Sequence, residues 1–149
     1  MSIQLYVHLE PLSRRRPCQA DGGVAPLESP DGKFLYYSRR RYPASLWRIP
    51  VEGGAPTKIL DSLSDFKNWA IADTGLYFIP SSRIAEGSSI EFLSVATNQI
   101  RPVAQLEKPV YTGLTAAGGG LSVSPDGRYI LYTQVDQADF ELMMVENFR

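Results

Sequence analysis

The sequence has very few of the side chains on which enzymes and metal sites depend. Its 149 residues include one cysteine, Cys18, and one histidine, His8. A single cysteine excludes an intrachain disulfide, and one histidine with one cysteine cannot supply the three or four close ligands of a zinc site. A serine nucleophile needs a histidine base, and no Gly-x-Ser-x-Gly segment is present to place one. We therefore expect no enzyme activity, no cofactor and no metal site.

An excess of positive charge and long apolar runs are also lacking. The net charge is −1 and the isoelectric point is near 5.8, so we expect no direct nucleic-acid binding by this segment. No apolar run approaches the roughly 18 residues of a membrane span. Residues 1–12 lack the charged and then apolar stretches of a secretory signal. As written, the chain is expected to be cytoplasmic and to bind no membrane, with the compartment of any longer parent unknown.

What the sequence does contain is a repeated turn. Two segments share a Ser-Pro-Asp-Gly tetrapeptide, followed by a basic residue and a run of aromatic and aliphatic residues. These segments are Ser29-Pro30-Asp31-Gly32 and Ser124-Pro125-Asp126-Gly127. Proline presets φ for the second position of a type I turn, aspartate suits the third, and glycine accepts the left-handed conformation that follows. The tetrapeptide therefore predicts a structural turn that joins two antiparallel strands through a bulge.

A weaker copy of the repeat lies midway between the two clear ones. Asp31 and Asp126 are 95 residues apart, which is about twice the 40–50 residues of one propeller blade. Between them, Asp73-Thr74-Gly75 occupies the position of the turn, and residues 76–79 replace the apolar strand. We interpret Asp73 and Gly75 as turn residues of this middle copy. Each of the first two copies is followed by a second predicted hairpin, so a repeat holds four short strands.

The pattern predicts an all-β fold, a partial β-propeller of about three four-stranded antiparallel blades with the last blade incomplete. The blades are expected at about 24–60, 66–106 and 119–149, the last ending after an apolar segment at 140–145. Residues 1–23 match the repeat poorly. Within them, residues 3–9 form a strand of a preceding blade or the strand that completes blade three, and residues 11–23 are expected to be loop. The alternative fold is an antiparallel sandwich, whose strands do not repeat their turn sequence.

At these turns the sequence resembles the propeller repeat of the TolB family, a WD-repeat-like unit. The same repeat occurs in the N-terminal propellers of relatives of prolyl oligopeptidase and dipeptidyl peptidase IV. Residues 46–50 followed by Gly53-Gly54 more specifically resemble bacterial regulators in which a winged-helix domain precedes a TolB-like propeller. The resemblance covers roughly residues 22–149. Residues 1–20 resemble no winged helix and the predicted blades are fewer than a ring needs, so we expect the C-terminal portion of a longer protein or a truncated gene product.

The resemblance implies a non-catalytic propeller module for protein interaction or ligand sensing, from the C-terminal part of a larger bacterial regulatory protein. The alternatives are a fragment of a peptidase's substrate-gating propeller and a periplasmic TolB-like interaction protein. A winged helix upstream, a hydrolase domain downstream or a signal peptide with six blades would distinguish the three. The expected partner is another protein or the missing blades, and exposed blade faces predict self-association.

Overall fold

The computed structural model describes residues 22–40, 43–81, 88–107, 110, 120–124 and 127–133, and the backbone of two short strands nearer the N-terminus. Every regular element in these residues is a β-strand, which confirms the all-β prediction. In chain order the strands are β1 (Leu5–Tyr6), β2 (Pro17–Cys18), β3 (Gly23–Glu28), β4 (Phe34–Arg39), β5 (Ala44–Pro50), β6 (Thr57–Leu63), β7 (Trp69–Ala72), β8 (Gly75–Phe78), β9 (Ser88–Ser94), β10 (Ile100–Leu106), β11 (Leu121–Val123) and β12 (Ile130–Tyr132).

The first sheet is a four-stranded antiparallel meander in the order β3-β4-β5-β6. Its strands are six or seven residues long, and β4 is buried on both faces from Leu35 to Ser38. A bulge between Val24 and Leu27 interrupts the pairing of β3 with β4, and Ala25 there has a φ of 51°. The sheet spans residues 23–63, close to the first predicted blade.

The second sheet repeats this plan in the order β7-β8-β9-β10. Asp73 and Thr74 form the two-residue connection between β7 and β8, because Ala72 pairs with Gly75 across it. Gly75 begins β8 and pairs with Ala72, so it is the last residue of the four-residue turn 72–75. Its φ is not positive. A side chain here is instead excluded by space: a Cβ would contact the carbonyl oxygen of Leu93 and would lie 2.6 Å from Cζ of Phe92.

Two further pairs of strands are described. β11 pairs with β12 as the start of a third sheet, and β12 exposes Leu131 to 73%. The apolar segment predicted at 140–145 lies outside the described residues, so the described part of this sheet has two strands instead of four. Near the N-terminus β1 pairs with β2. Pro17–Cys18 is thus a strand where a loop was expected, since the backbone groups of Leu5–Tyr6 are available to pair with it.

The first and second sheets pack face to face through side chains that alternate along their strands. On the first sheet Tyr36, Leu46 and Leu63 point toward the second sheet, and Leu76 and Phe78 point back at them. All five are nearly completely buried. Successive residues of a strand face opposite sides, so the other side of β4 forms a separate cluster. We call the contact between the first and second sheets the seam.

A buried hydrogen-bond network crosses the seam. Ser38 of β4 is fully buried; its hydroxyl donates to the carbonyl of Phe66 at 2.8 Å and accepts from Nε1 of Trp69 at 2.8 Å. The indole N–H also lies 2.9 Å from the Phe66 carbonyl. Because Trp69 begins β7, this network ties the second strand of one sheet to the first strand of the next. Satisfying these polar groups internally avoids the free-energy cost of burying them unpaired.

The loop at residues 64–68 also contacts the second and third sheets. The amide of Ser64 donates to the carbonyl of Ile79 at 2.9 Å. The amide of Ile79 in turn donates to the carbonyl of Asn68, also at 2.9 Å. The amide of Leu121, which begins β11, donates to the carbonyl of Lys67 at 3.1 Å. The other face of the second sheet then packs on β11 through a second apolar cluster. The described residues thus form consecutive stacked sheets and not a closed ring.

Candidate functional site: a cleft at the seam

The first Ser-Pro-Asp-Gly segment forms a closely bonded turn. The Gly32 amide donates to the Ser29 carbonyl at 2.9 Å, and Gly32 has a φ of +69°. The hydroxyl of Ser29 donates to Oδ1 of Asp31 at 2.6 Å and accepts from the amide of Phe34 at 2.9 Å. The amide of Lys33 also donates to Oδ1 of Asp31, at 3.1 Å. Serine and aspartate thus hold the turn through their side chains, and glycine provides its left-handed backbone.

These contacts stabilise the charged form of Asp31. The hydrogen bond from Ser29, followed by the amide of Lys33, lowers the pKa of this carboxyl below its ordinary value, and the positive charge of Lys33 adds to the effect. The ammonium of Lys33 is 3.6 Å from Oδ2 of Asp31, and both side chains are exposed. The negative charge of Asp31 is therefore already compensated locally.

The second Ser-Pro-Asp-Gly segment has the same backbone contacts where it is described. The amide of Gly127 donates to the carbonyl of Ser124 at 2.8 Å, and Gly127 has a φ of +67°. The hydroxyl of Ser124 accepts from the amide of Tyr129 at 3.0 Å. Pro125 and Asp126 lie outside the described residues. This turn stands on the third sheet, apart from the other two predicted turns.

The turns of the first two sheets border one cleft. It has a volume of about 350 Å³ and opens at the end of the seam where the β3–β4 and β7–β8 connections meet. Five of the predicted turn residues line it: Ser29, Pro30, Asp31, Asp73 and Gly75. The remaining described lining is Phe34, Tyr36, Arg48, Ile71, Ala72, Leu76 and Val95. The walls are thus mainly apolar, with one guanidinium, one phenol and two carboxylates among them.

Arg48 and Tyr36 are the polar side chains that the strands, and not the turns, contribute to the described lining of the cleft. They face each other across β4 and β5, and Nη1 of Arg48 is 3.5 Å from the Tyr36 hydroxyl. The guanidinium carbon of Arg48 lies 4.5 Å from the centre of the Phe34 ring, a cation–π distance. Tyr36 is 3% exposed, so its ring is held by packing and its hydroxyl is fixed in direction. Strand pairing therefore holds a guanidinium and a hydroxyl side by side.

Neither residue was identified as a site residue from the sequence. One signal was available: Arg48 is two residues after Leu46 in β5, and the two side chains therefore share a face. An arginine on the face that packs on the next sheet is unusual, because charged side chains are rarely buried without a function or a partner. This signal can be used only when it is known which face of β5 packs on the second sheet.

Comparison with known proteins identifies the architecture. No model of a protein family matches the chain, and no curated protein matches it in sequence. The structure is similar to the crystal structure of TolB from Acinetobacter baumannii, with a TM-score of 0.61 and 13% sequence identity. The chain has a TolB-like β-propeller fold. The match covers 88% of this chain and 32% of the TolB chain, so the chain spans about a third of the length of that structure. The four-stranded sheets are accordingly called blades below.

Other predicted features fall partly outside the described residues. His8 lies outside them, and Cys18 is in β2. Among the described residues, no three His, Cys, Asp or Glu side chains are grouped closely enough to hold a metal ion. Over the same ranges no helix has the length and apolar character to cross a membrane. The cleft at the seam of blades one and two is thus the candidate site with the best-defined geometry.

Proposed function

We propose that this chain is a non-catalytic β-propeller module that binds a peptide segment of a protein partner in the cleft between blades one and two. The cleft itself carries the proposal. A concave, mainly apolar volume of about 350 Å³ with a few fixed polar groups has the size and lining of a ligand site. Its polar groups are a guanidinium, a phenol, the Ser29 hydroxyl and two carboxylates, and the described lining contains no histidine or cysteine.

The wider context is also a proposal. The sequence resemblance at residues 46–50 and Gly53-Gly54 favours the C-terminal part of a larger bacterial regulatory protein. In such a protein the partner of blade three is a further blade. In the isolated chain the exposed apolar side chains of β12 favour self-association. The net charge of −1 argues against direct nucleic-acid binding by this segment.

Peptide selection against the full chain tests the proposal. Random peptides displayed at the C-terminus of a carrier would be selected on the immobilised chain, synthesised and titrated into the isotopically labelled protein. We expect amide chemical-shift changes to concentrate at residues 29–34 and 71–76, which border the cleft. Selected peptides that shift only other residues, or a failure to select any peptide, would contradict the proposal.

Two substitutions that change bulk but not charge test whether the peptide binds in the cleft. Val95 lines the cleft and is 53% exposed, so Val95→Trp would fill the cleft with little effect on folding. Val103 of β10 is 38% exposed and is not part of the lining, so Val103→Trp adds the same bulk elsewhere. We expect the first variant to lose peptide binding and the second to retain it. Equal retention by both variants would exclude the cleft as the site.

A further inference from the structure

Among the described residues, Arg48 is a cation in the cleft with no acidic ion-pair partner. Its described contacts are the cation–π contact with Phe34 and the long hydrogen bond to Tyr36. No carboxylate of the described residues forms an ion pair with it. A guanidinium presents five N–H donors in a planar fork, and one bond of 3.5 Å leaves most of them available. The cleft therefore offers unused donor capacity at a fixed position.

The two acidic residues of the cleft do not fill this role. Asp31 already accepts hydrogen bonds from Ser29 and Lys33 and lies 3.6 Å from the Lys33 ammonium. Asp73 is exposed in the β7–β8 connection, at the rim of the cleft. The acids thus lie on the turns at the opening, while the guanidinium lies on a strand in the wall.

We propose that the cleft recognises a carboxylate of the bound peptide, through the guanidinium of Arg48 and the hydroxyl of Tyr36. This inference rests on the proposed peptide-binding function and specifies the chemistry of its ligand. The Tyr36 oxygen accepts from Arg48, so its own proton is available for a ligand oxygen. Two N–H donors of the guanidinium pair with a carboxylate in a bidentate geometry, the strongest of the charge-assisted hydrogen bonds.

The remaining lining selects the group beside the carboxylate. Ile71, Leu76 and Val95 supply aliphatic surface, so an apolar side chain next to the carboxylate gains from its burial. A volume of about 350 Å³ holds about two such peptide residues. The carboxylate belongs either to a peptide C-terminus or to an acidic side chain, and the two sources share one chemistry.

Asp73 limits which peptides bind. Its negative charge at the rim repels a second acidic group on the ligand. A single carboxylate placed against Arg48 is favoured over a cluster of acids. Removal of this charge by Asp73→Asn should therefore strengthen binding of a monoanionic peptide and strengthen binding of a dianionic peptide more.

The test compares charged and neutral forms of the same peptide. The peptide selected above is synthesised with all its carboxylates, with only the C-terminus amidated, with only acidic side chains changed to amides, and with both changes. Affinity for each form is measured by fluorescence polarisation with the full chain. We expect one of the single changes to weaken binding by at least about tenfold, which corresponds to about 1.4 kcal/mol for the lost charge-assisted bonds. Which change does so identifies the source of the carboxylate.

Variants then connect the carboxylate to Arg48. We expect Arg48→Gln to bind the charged and the neutral peptide with the same affinity. That affinity should equal the affinity of the native chain for the neutral peptide. The matched control is Arg101→Gln, because Arg101 lies 4.9 Å from the ring of Phe92 in a similar cation–π contact outside the cleft. This control should discriminate between the peptides as the native chain does. Thermal melting of both variants verifies that each is folded.

The outcomes separate this inference from the proposed function. If selected peptides map to the cleft but bind equally well without carboxylates, the inference is wrong and the proposed function stands. Continued discrimination by Arg48→Gln would also overturn the inference, since another group would then read the charge. If no peptide maps to the cleft, the proposed function fails and the inference fails with it.

Discussion

Gly75 provides the sharpest test of how blade two is packed. In Gly75→Ala the new Cβ would meet the carbonyl oxygen of Leu93 and lie 2.6 and 2.9 Å from two carbons of the Phe92 ring. The ring can turn, but the carbonyl belongs to the backbone of β9, which pairs with β8 at this point. Relief therefore requires displacement of a central strand of the blade.

The expected cost follows from this geometry. Overpacking that displaces backbone costs about 1–3 kcal/mol of unfolding free energy, equivalent here to a fall in melting temperature of roughly 3–12 °C. Gly120→Ala is the control, because its Cβ would lie 3.4 Å from the nearest atom, the Lys67 carbonyl oxygen, in ordinary contact. Restricting the unfolded chain makes that change neutral or slightly stabilising.

Circular dichroism melts of the two variants and the native chain supply the measurement. We expect Gly75→Ala to unfold at a clearly lower temperature and Gly120→Ala to match the native chain. The melts should be repeated over a range of concentrations, because association would shift the midpoint. If both variants melt with the native chain, then β9 does not approach Gly75 closely enough to exclude a Cβ, and close packing does not require this glycine.

The other predictions concern the seam, the turns and the whole chain. Ser38→Ala removes one of the two acceptors of the Trp69 indole, which keeps the Phe66 carbonyl, and should lower stability by about 0.5–1.5 kcal/mol in urea unfolding, whereas no change would show that the Ser38 hydroxyl contributes nothing. Asp31 has a depressed pKa in the fold, caused first by Ser29, so its stabilising effect is complete above the ordinary value of 3.8 and is lost as the pH falls through the folded pKa. Unfolding at pH 7 and pH 3 should therefore show a difference between native chain and Asp31→Asn that shrinks in acid, and a constant difference would refute this. Gly127→Val places a β-branched residue at a φ of +67° and should cost about 1–2 kcal/mol, so an unchanged melting temperature would contradict the assigned turn. Sedimentation at micromolar concentration should show self-association, and a stable, strictly monomeric species of 16.5 kDa would contradict this. In a separate assay, the purified chain should not hydrolyse peptide or ester substrates.

The fold could be predicted from the sequence because its signals are local. Ser29 to Gly32 carry the chemistry of their turn within four residues, and the copy at residues 124–127 reveals the repeat. The same reasoning placed Asp73 in a connection but did not show that close packing requires Gly75. A glycine required by positive φ and a glycine required by close packing look the same in a sequence, since the second depends on Phe92 and Leu93, far along the chain.

The cleft could not be predicted because it depends on contacts between blades. Arg48 and Tyr36 are twelve residues apart, and their meeting requires the β4–β5 register. The opposite wall, at residues 71–76, comes from the next blade. Local pattern predicts which residues alternate toward a core. It does not predict that the faces of two blades leave an unfilled volume beside their turns.

The loop at residues 64–68 has a consequence for the order in which the chain folds. Synthesis of blade one is complete at Leu63. The residues that cover its face at the seam, including Phe66 and Trp69, come later in the chain. During synthesis from the N-terminus, each blade therefore exposes an apolar face until the next one emerges from the ribosome. A pause in translation just after Leu63 would lengthen the time for which the apolar face of blade one is exposed. A pause after blade two would not, because blade two already covers that face.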